Sequence, residues 1–175
     1  MAEATPDMLT IALTGFHAAR ERYRQDLTVG HDEEQLIIHA MEVVYWSCTL
    51  DEQLAKRDAW YEMCSEYGRR IMHGTRHARN AATHQLPMFL QKTEGAQWPV
   101  TFPFRFEEVR WIRADELPEF DRESRRQREN YVQYLQGQPV RHTVDEIANW
   151  FAAEQNRTGS PLNTKPWGDS GETVD

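Results

Sequence analysis

The chain contains 175 residues and carries a formal net charge of −8 at pH 7. That length fits one domain, and a composition of 39% hydrophobic and 11% aromatic residues excludes a disordered protein. The acidic balance excludes a nucleic-acid footprint over the whole surface but leaves a local basic patch open. No apolar run approaches the roughly 18–20 residues of a membrane span, and the N-terminus lacks the apolar region of a signal peptide. We therefore expect a cytoplasmic protein with no membrane partner.

Apolar residues at helical spacing predict a mainly α protein. The predicted helices cover about 6–26, 32–56, 69–90, 121–135 and 144–155. Pro87 is expected to bend the third helix or to end it near Leu86. We expect these helices to pack as an antiparallel core resembling a four-helix bundle.

The stretch near 98–113 has a different pattern from the helices. Val100, Phe102, Phe104 and Phe106 alternate with other residues, which predicts a small β or extended insertion. We assign residues 1–156 to a single helical domain. Gly, Ser, Pro, Asn and Thr dominate residues 157–175, which predicts a disordered C-terminal tail.

The most informative stretch is the basic segment, residues 67–93, which contains four Arg, one Lys and three His but no Asp or Glu. Within an otherwise acidic chain, such a segment creates a local site for anions. A solvated helix face is the plain alternative, and Asp51 and Glu52 of the preceding helix could form salt bridges to it. His73 and His77 have the spacing of zinc ligands on a helix, and the basic segment itself offers no carboxylate or thiol to complete a site. Cys48 and Cys64 of the preceding segment could contribute one.

Within this segment, the run Arg79-Asn80-Ala81-Ala82-Thr83-His84 resembles the signature motif of HEPN-domain proteins. In that family an arginine, often followed by a polar residue such as Asn, precedes a histidine by four to six residues. Tyr45-Trp46 and Leu50-Asp51-Glu52 on the preceding predicted helix are also similar to small bacterial proteins of HEPN-like type.

The resemblance implies an antiparallel four-helix core, a symmetric homodimer and, in active members, RNA cleavage without a metal or other cofactor. It also implies a toxin or defence setting with an antitoxin or regulatory partner. Toxin members that pair with nucleotidyltransferase antitoxins carry a Tyr three residues after the histidine, whereas this chain has Pro87 there.

Metal-free RNA cleavage uses the ribose 2′-hydroxyl as nucleophile, and it needs a base for the proton and a cation for the phosphorane. We hypothesise that His84 is the general base or acid and that Arg79 binds the phosphate. Asn80 would orient His84 or a phosphate oxygen. The substrate-binding residues would be Arg76, His77 and His73. Arg79 and His84 lie about 140° apart around a helix, so a partner chain could supply one of them.

The competing hypothesis is a non-catalytic dimeric protein that uses the same helix for an interface and for regulation. Such a protein would bind anionic partners or nucleotides without cleaving RNA. The two hypotheses differ in what they require around Arg79, because only an enzyme needs a cleft beside Arg79 and an accessible His84.

Overall fold

Two long antiparallel helices form one side of the protein. The structure, a computed structural model, describes residues 6–29, 33–84, 90–93, 108–117 and 123–165. Helix α1 (Met8–Val29) lies against α2 (Glu33–Arg57). Ion pairs join opposite ends of the two helices, from Arg57 to Asp7 at 2.9 Å and from Arg22 to Glu42 at 2.7 Å. These contacts fix the antiparallel arrangement.

The second side of the protein is built from shorter elements. Helix α3 (Ala59–Met63) is capped by Asp58, and α4 (Tyr67–His84) follows it. Strand β1 (Leu90–Thr93) pairs antiparallel with β2 (Glu108–Trp111), in the register Leu90 to Trp111. The protein is therefore mainly helical, with a helical core and a small extended insertion, as the sequence predicts.

Two further helices cover α4 and the strands. Helix α5 (Arg125–Asn130) continues into one wider π-helical turn (Tyr131–Leu135), and α6 (Val140–Asn156) completes the bundle. Large side chains of the π turn and α6 meet in a common core with those of α1, α2, α3, α4 and β2. The bulkiest fully buried members are Trp111, Tyr23, Tyr61, Tyr131, Phe16 and Phe151.

Several predicted boundaries differ from the structure. The third helix was predicted to end near Leu90, but that residue belongs to β1, and Pro87 lies outside the described residues. Helix α5 starts at Arg125, because the Ser124 hydroxyl accepts a hydrogen bond from the amide of Gln127 and so caps the helix. The alternating residues 100–106 also lie outside the described residues.

The predicted disordered tail differs from the structure in its first part. Residues 157–165 form turns against the bundle, and Leu162 is fully buried in the core. The Lys165 ammonium also contacts the Asp7 carboxylate at 2.7 Å, which joins this segment to the start of α1. The remaining residues, 166–175, lie outside the described part. Among the helices that the structure describes, none is long and apolar enough to cross a membrane.

Candidate functional site

Helix α4 carries the basic segment, and it packs between α2 on one side and α5 with its π turn on the other. Glycine allows two close approaches along α4, one to α6 and one to the π turn. A Cβ at Gly68 would lie 2.4 Å from the ring of Trp150, and one at Gly74 would lie 2.7 Å from Leu135 Cδ1. Much of the basic helix is therefore inside the bundle rather than on a solvated face.

Asp51 is the centre of a buried polar cluster between α2 and α4. Its carboxylate is fully buried, and Arg69 Nη1 and Arg76 Nη2 each lie 2.5 Å from one of its oxygens. The hydroxyl of Tyr61 donates to the same carboxylate at 2.7 Å, and Trp150 Nε1 donates to that hydroxyl at 3.0 Å. The predicted salt bridge from Asp51 to the basic helix is thus confirmed, and Arg76 is occupied by it.

Arg79 and Asn80 form a second, more accessible cluster with Glu52. Arg79 Nη1 donates to Glu52 Oε1 at 2.7 Å, and the Arg79 side chain keeps 26% of its surface exposed. Its Nε and Nη2 donate to Asn80 Oδ1 at 3.2 and 3.0 Å, and Asn80 Nδ2 donates to Gln127 Oε1 at 3.4 Å. Asn80 and Glu52 therefore hold the guanidinium in one orientation at the protein surface.

His73 and His77, two of the predicted substrate-binding residues, are buried. His77 is 1% exposed, with its ring 5.2 Å from that of Tyr131 and Nε2 3.6 Å from Glu123 Oε1. Burial lowers the pKa of His77 to about 4 and that of His73 to about 3, with Arg69 adding to the effect at His73. A substrate-binding role does not fit this burial, since neither imidazole can contact RNA in this arrangement.

His84 is the last residue of α4, so its backbone lies just over one helical turn beyond Asn80. Its side chain lies outside the part of the chain that the structure describes. Arg79, Asn80 and His84 are therefore brought to one end of α4, whereas Arg76, His73 and His77 belong to the interior.

The hypothesis of a zinc site has no support among the described residues. Among the described residues, no group of three or more His, Cys, Asp or Glu side chains is arranged to hold a metal ion. Cys48 is buried, and burial raises the pKa of its thiol to about 12.

Sequence reasoning missed two partners of this region, Tyr61 and Gln127. Gln127 comes from an element remote in the sequence, whereas Tyr61 belongs to the short helix α3 between α2 and α4, and neither has a motif around it that marks it as a partner. Only the packed bundle shows that Tyr61 reaches Asp51 and that Gln127 reaches Asn80. The chain matches no protein-family model, no curated protein and no solved structure.

Proposed function

We propose that this protein is a metal-independent endoribonuclease of HEPN type, with its site at the C-terminal end of α4. The single observation that carries the proposal is the orientation of the Arg79 guanidinium, which Glu52 and Asn80 fix by hydrogen bonds. This guanidinium is partly exposed, and Arg79 lies near the end of α4, as His84 does. A charged, oriented guanidinium suits a phosphate, which it can bind through paired N–H groups.

In the proposed reaction the ribose 2′-oxygen forms a bond to the neighbouring phosphorus while the bond to the 5′-oxygen breaks. His84 takes the proton of the 2′-hydroxyl, and the leaving 5′-oxygen takes a proton from solvent water. Arg79 stabilises the charge on the phosphorane oxygens. Because Asn80 accepts two hydrogen bonds from Arg79, we assign it the role of positioning the guanidinium. The products are a 2′,3′-cyclic phosphate and a 5′-hydroxyl.

A second copy of the chain completes the proposed site. Ile38, Tyr45 and Glu52 follow one another at intervals of seven residues on α2, so they lie along one face of that helix. Ile38 and Tyr45 are 48% and 56% exposed, and Glu52 contacts Arg79. Docking two such faces would bring two Arg79–His84 pairs together in a symmetric dimer and would bury the exposed apolar side chains.

The second candidate function is a non-catalytic interaction protein. The observation that favours it is the pairing of the α4 arginines within the bundle, since Arg69, Arg76 and Arg79 all contact Asp51 or Glu52 of α2. In that case the basic helix serves the packing of the bundle, and the α2 face serves a partner.

The test is RNA cleavage in EDTA by wild-type protein and by Arg79→Gln and His84→Gln variants. Arg22→Gln is the matched control, because it removes the same charge from a partly exposed ion pair that joins α1 to α2. We expect both site variants to lose at least about a hundredfold in rate, because general acid–base catalysis by His84 and stabilisation of the phosphorane by Arg79 each typically contribute that much. Equal cleavage by His84→Gln and the control would contradict the proposal, and so would a wild-type protein that cleaves no RNA.

A further inference from the structure

His73 is a buried polar side chain of α4 that has no hydrogen-bond partner. The residue is 8% exposed, and neither Nδ1 nor Nε2 of its ring has a donor or acceptor within reach among the described residues. An imidazole always carries at least one N–H group, so the interior holds a donor that no protein atom satisfies. Such a donor is costly to bury, and its position calls for a partner from outside the chain.

A second unsatisfied donor lies on the same side of α4. Arg69, His73 and Arg76 follow one another at offsets of four and three residues, and together they form the inner stripe of the helix. Arg69 is satisfied, since it donates to the Asp51 carboxylate and to the Tyr61 carbonyl. Arg76 Nη2 also contacts Asp51, but its Nε is buried and has no acceptor in the described part of the chain. The inner stripe therefore leaves donors of two side chains unmet.

Helix α5 adds a further guanidinium beside the inner stripe. Asn80 Nδ2 donates to Gln127 Oε1 at 3.4 Å, so α5 packs against α4 at the residue that follows Arg126. Burial is the main cause of the lowered pKa of His73, and the positive charges of Arg126 and of the two arginines of the stripe add to it. Arg126 itself is exposed. It thus stands at the surface, close to the buried imidazole.

The acids of α5 are engaged with other partners. Glu129 pairs with Arg125 at 2.8 Å, and Glu123 contacts Arg128 at 3.3 Å. Arg126, by contrast, forms no ion pair with any residue that the structure describes. Its charge is therefore available to a ligand.

Helix α2 supplies one carboxylate to the inner stripe. This is Asp51, which contacts both Arg69 and Arg76, while the next acid of α2 pairs with Arg79. With Arg126, three guanidiniums face this one carboxylate, and the imidazole among them is neutral near pH 7. The seam between α4 and α5 accordingly combines an excess of positive charge with unmet donors, which is the chemistry that binds an anion.

We propose that the seam between α4 and α5 binds a monovalent anion of the size of chloride, with His73 and Arg76 as inner donors and Arg126 at the opening. Because His73 is almost fully buried, the position suits an ion about as large as a water molecule rather than a phosphate group. A monovalent ion is also less costly to take out of water than a multivalent one. This proposal does not depend on RNA cleavage.

The test is urea unfolding at pH 7 and constant ionic strength, with chloride replacing gluconate in steps. The site variants are Arg126→Gln and His73→Phe, and the second keeps a ring but removes both nitrogens. Arg125→Gln is the matched control, because it removes the same charge from the same helix at a side chain that is 92% exposed. The line width of the chloride NMR signal is an independent measurement, since exchange with a bound site broadens it without any unfolding.

We expect chloride to raise the urea midpoint of the wild-type protein and of Arg125→Gln alike, and to do so in a saturable way, because it binds only the folded state. The apparent affinity for chloride should be at least about tenfold weaker in Arg126→Gln. His73→Phe should show neither the stabilisation nor the broadening.

Equal chloride dependence of Arg126→Gln and Arg125→Gln would overturn the proposal. Chloride broadening that persists in His73→Phe would overturn it as well, because the ion would then lie at the surface. A wild-type midpoint that does not respond to chloride would show that water satisfies these donors, and it would equally rule the anion out.

Discussion

Asp51 shows how one residue can decide the position of a whole helix. Its buried carboxylate is in contact with two guanidiniums of α4, Arg69 and Arg76, and with the hydroxyl of Tyr61. Taking these charges out of water is costly, and the cost is offset only while every partner is present. The cluster therefore depends on the negative charge of this one side chain.

Substitution Asp51→Asn is expected to lower the free energy of unfolding by about 3–5 kcal/mol, because it leaves two buried guanidiniums without a counter-charge. Chemical denaturation followed by circular dichroism measures this value. The matched control is Asp145→Asn, which alters an exposed ion pair and should cost less than about 1 kcal/mol. Similar losses in the two variants would contradict the account of the buried cluster.

The two buried histidines make folding dependent on pH. Their folded pKa values, about 3 for His73 and about 4 for His77, lie below the ordinary value of 6.5 because burial disfavours the charged imidazole. Between pH 6.5 and about 4 the unfolded chain therefore binds more protons than the folded one. The stabilisation is fully present above pH 6.5 and is lost as the pH falls towards 4, by roughly 1.4 kcal/mol per pH unit for each histidine.

Unfolding measured in urea at pH 7 and at pH 5 tests this expectation. His77→Phe should reduce the loss of stability between the two values by about 2 kcal/mol, since it removes one buried titrating group and keeps an aromatic ring beside Tyr131. His142→Phe, at an exposed position of α6, should lose as much stability between pH 7 and pH 5 as the wild-type protein does. A pH dependence in His77→Phe equal to that of the wild type would contradict the burial argument.

At the scale of elements, α4 approaches its neighbours closely because small residues stand at its contacts. Gly68 lies under the indole of Trp150, which itself donates to Tyr61. Any side chain at Gly68 would meet rigid ring atoms rather than the flexible end of a side chain. Helix α4 and helix α6 are thus fitted to each other at this glycine.

Gly68→Ala is expected to destabilise the protein by about 1–3 kcal/mol, although alanine is the better helix former, because the added Cβ overpacks the contact. The same substitution in a Trp150→Leu background should cost clearly less, since the smaller side chain leaves room. A double-mutant cycle by thermal unfolding gives the coupling. An equal cost in both backgrounds would show that the close contact is not the cause.

The sequence predicts the helical class well and the ends of the elements less well. The helices predicted for residues 6–26 and 32–56 correspond to α1 and α2, because the apolar residues of both face one core. The burial of His73 and His77 was not predictable, since local sequence does not show which side of a basic helix the later α5 will cover. The same applies to the ion pair of Arg20 with Asp145, whose residues come from α1 and α6 at opposite ends of the chain.

At the scale of the whole molecule, the proposed site needs two copies of the chain. The α2 face with Ile38 and Tyr45 is exposed in a single chain, and it leads to Glu52 and Arg79. A dimer through this face would also relieve the angular separation of Arg79 and His84 around α4.

Tyr45→Glu is expected to shift the protein from dimer to monomer, because it places a charge at the centre of the apolar face. Light scattering coupled to size-exclusion chromatography measures the mass. Met63→Glu is the matched control, since Met63 is 81% exposed and belongs to α3 rather than to this face. A wild-type monomer, or a Tyr45→Glu variant that remains dimeric, would contradict the proposed interface.

The chemistry of the RNA ends tests the central claim most directly. Wild-type protein is incubated in EDTA with an RNA oligonucleotide and with the same oligonucleotide carrying a 2′-deoxy group at the cleaved position, and the products are identified by mass spectrometry. Our account predicts 2′,3′-cyclic phosphate and 5′-hydroxyl ends from the first substrate, no cleavage of the second, and no products from identically purified Arg79→Gln or His84→Gln protein. Products with 5′-phosphate ends, or cleavage that survives the 2′-deoxy substitution, would contradict it.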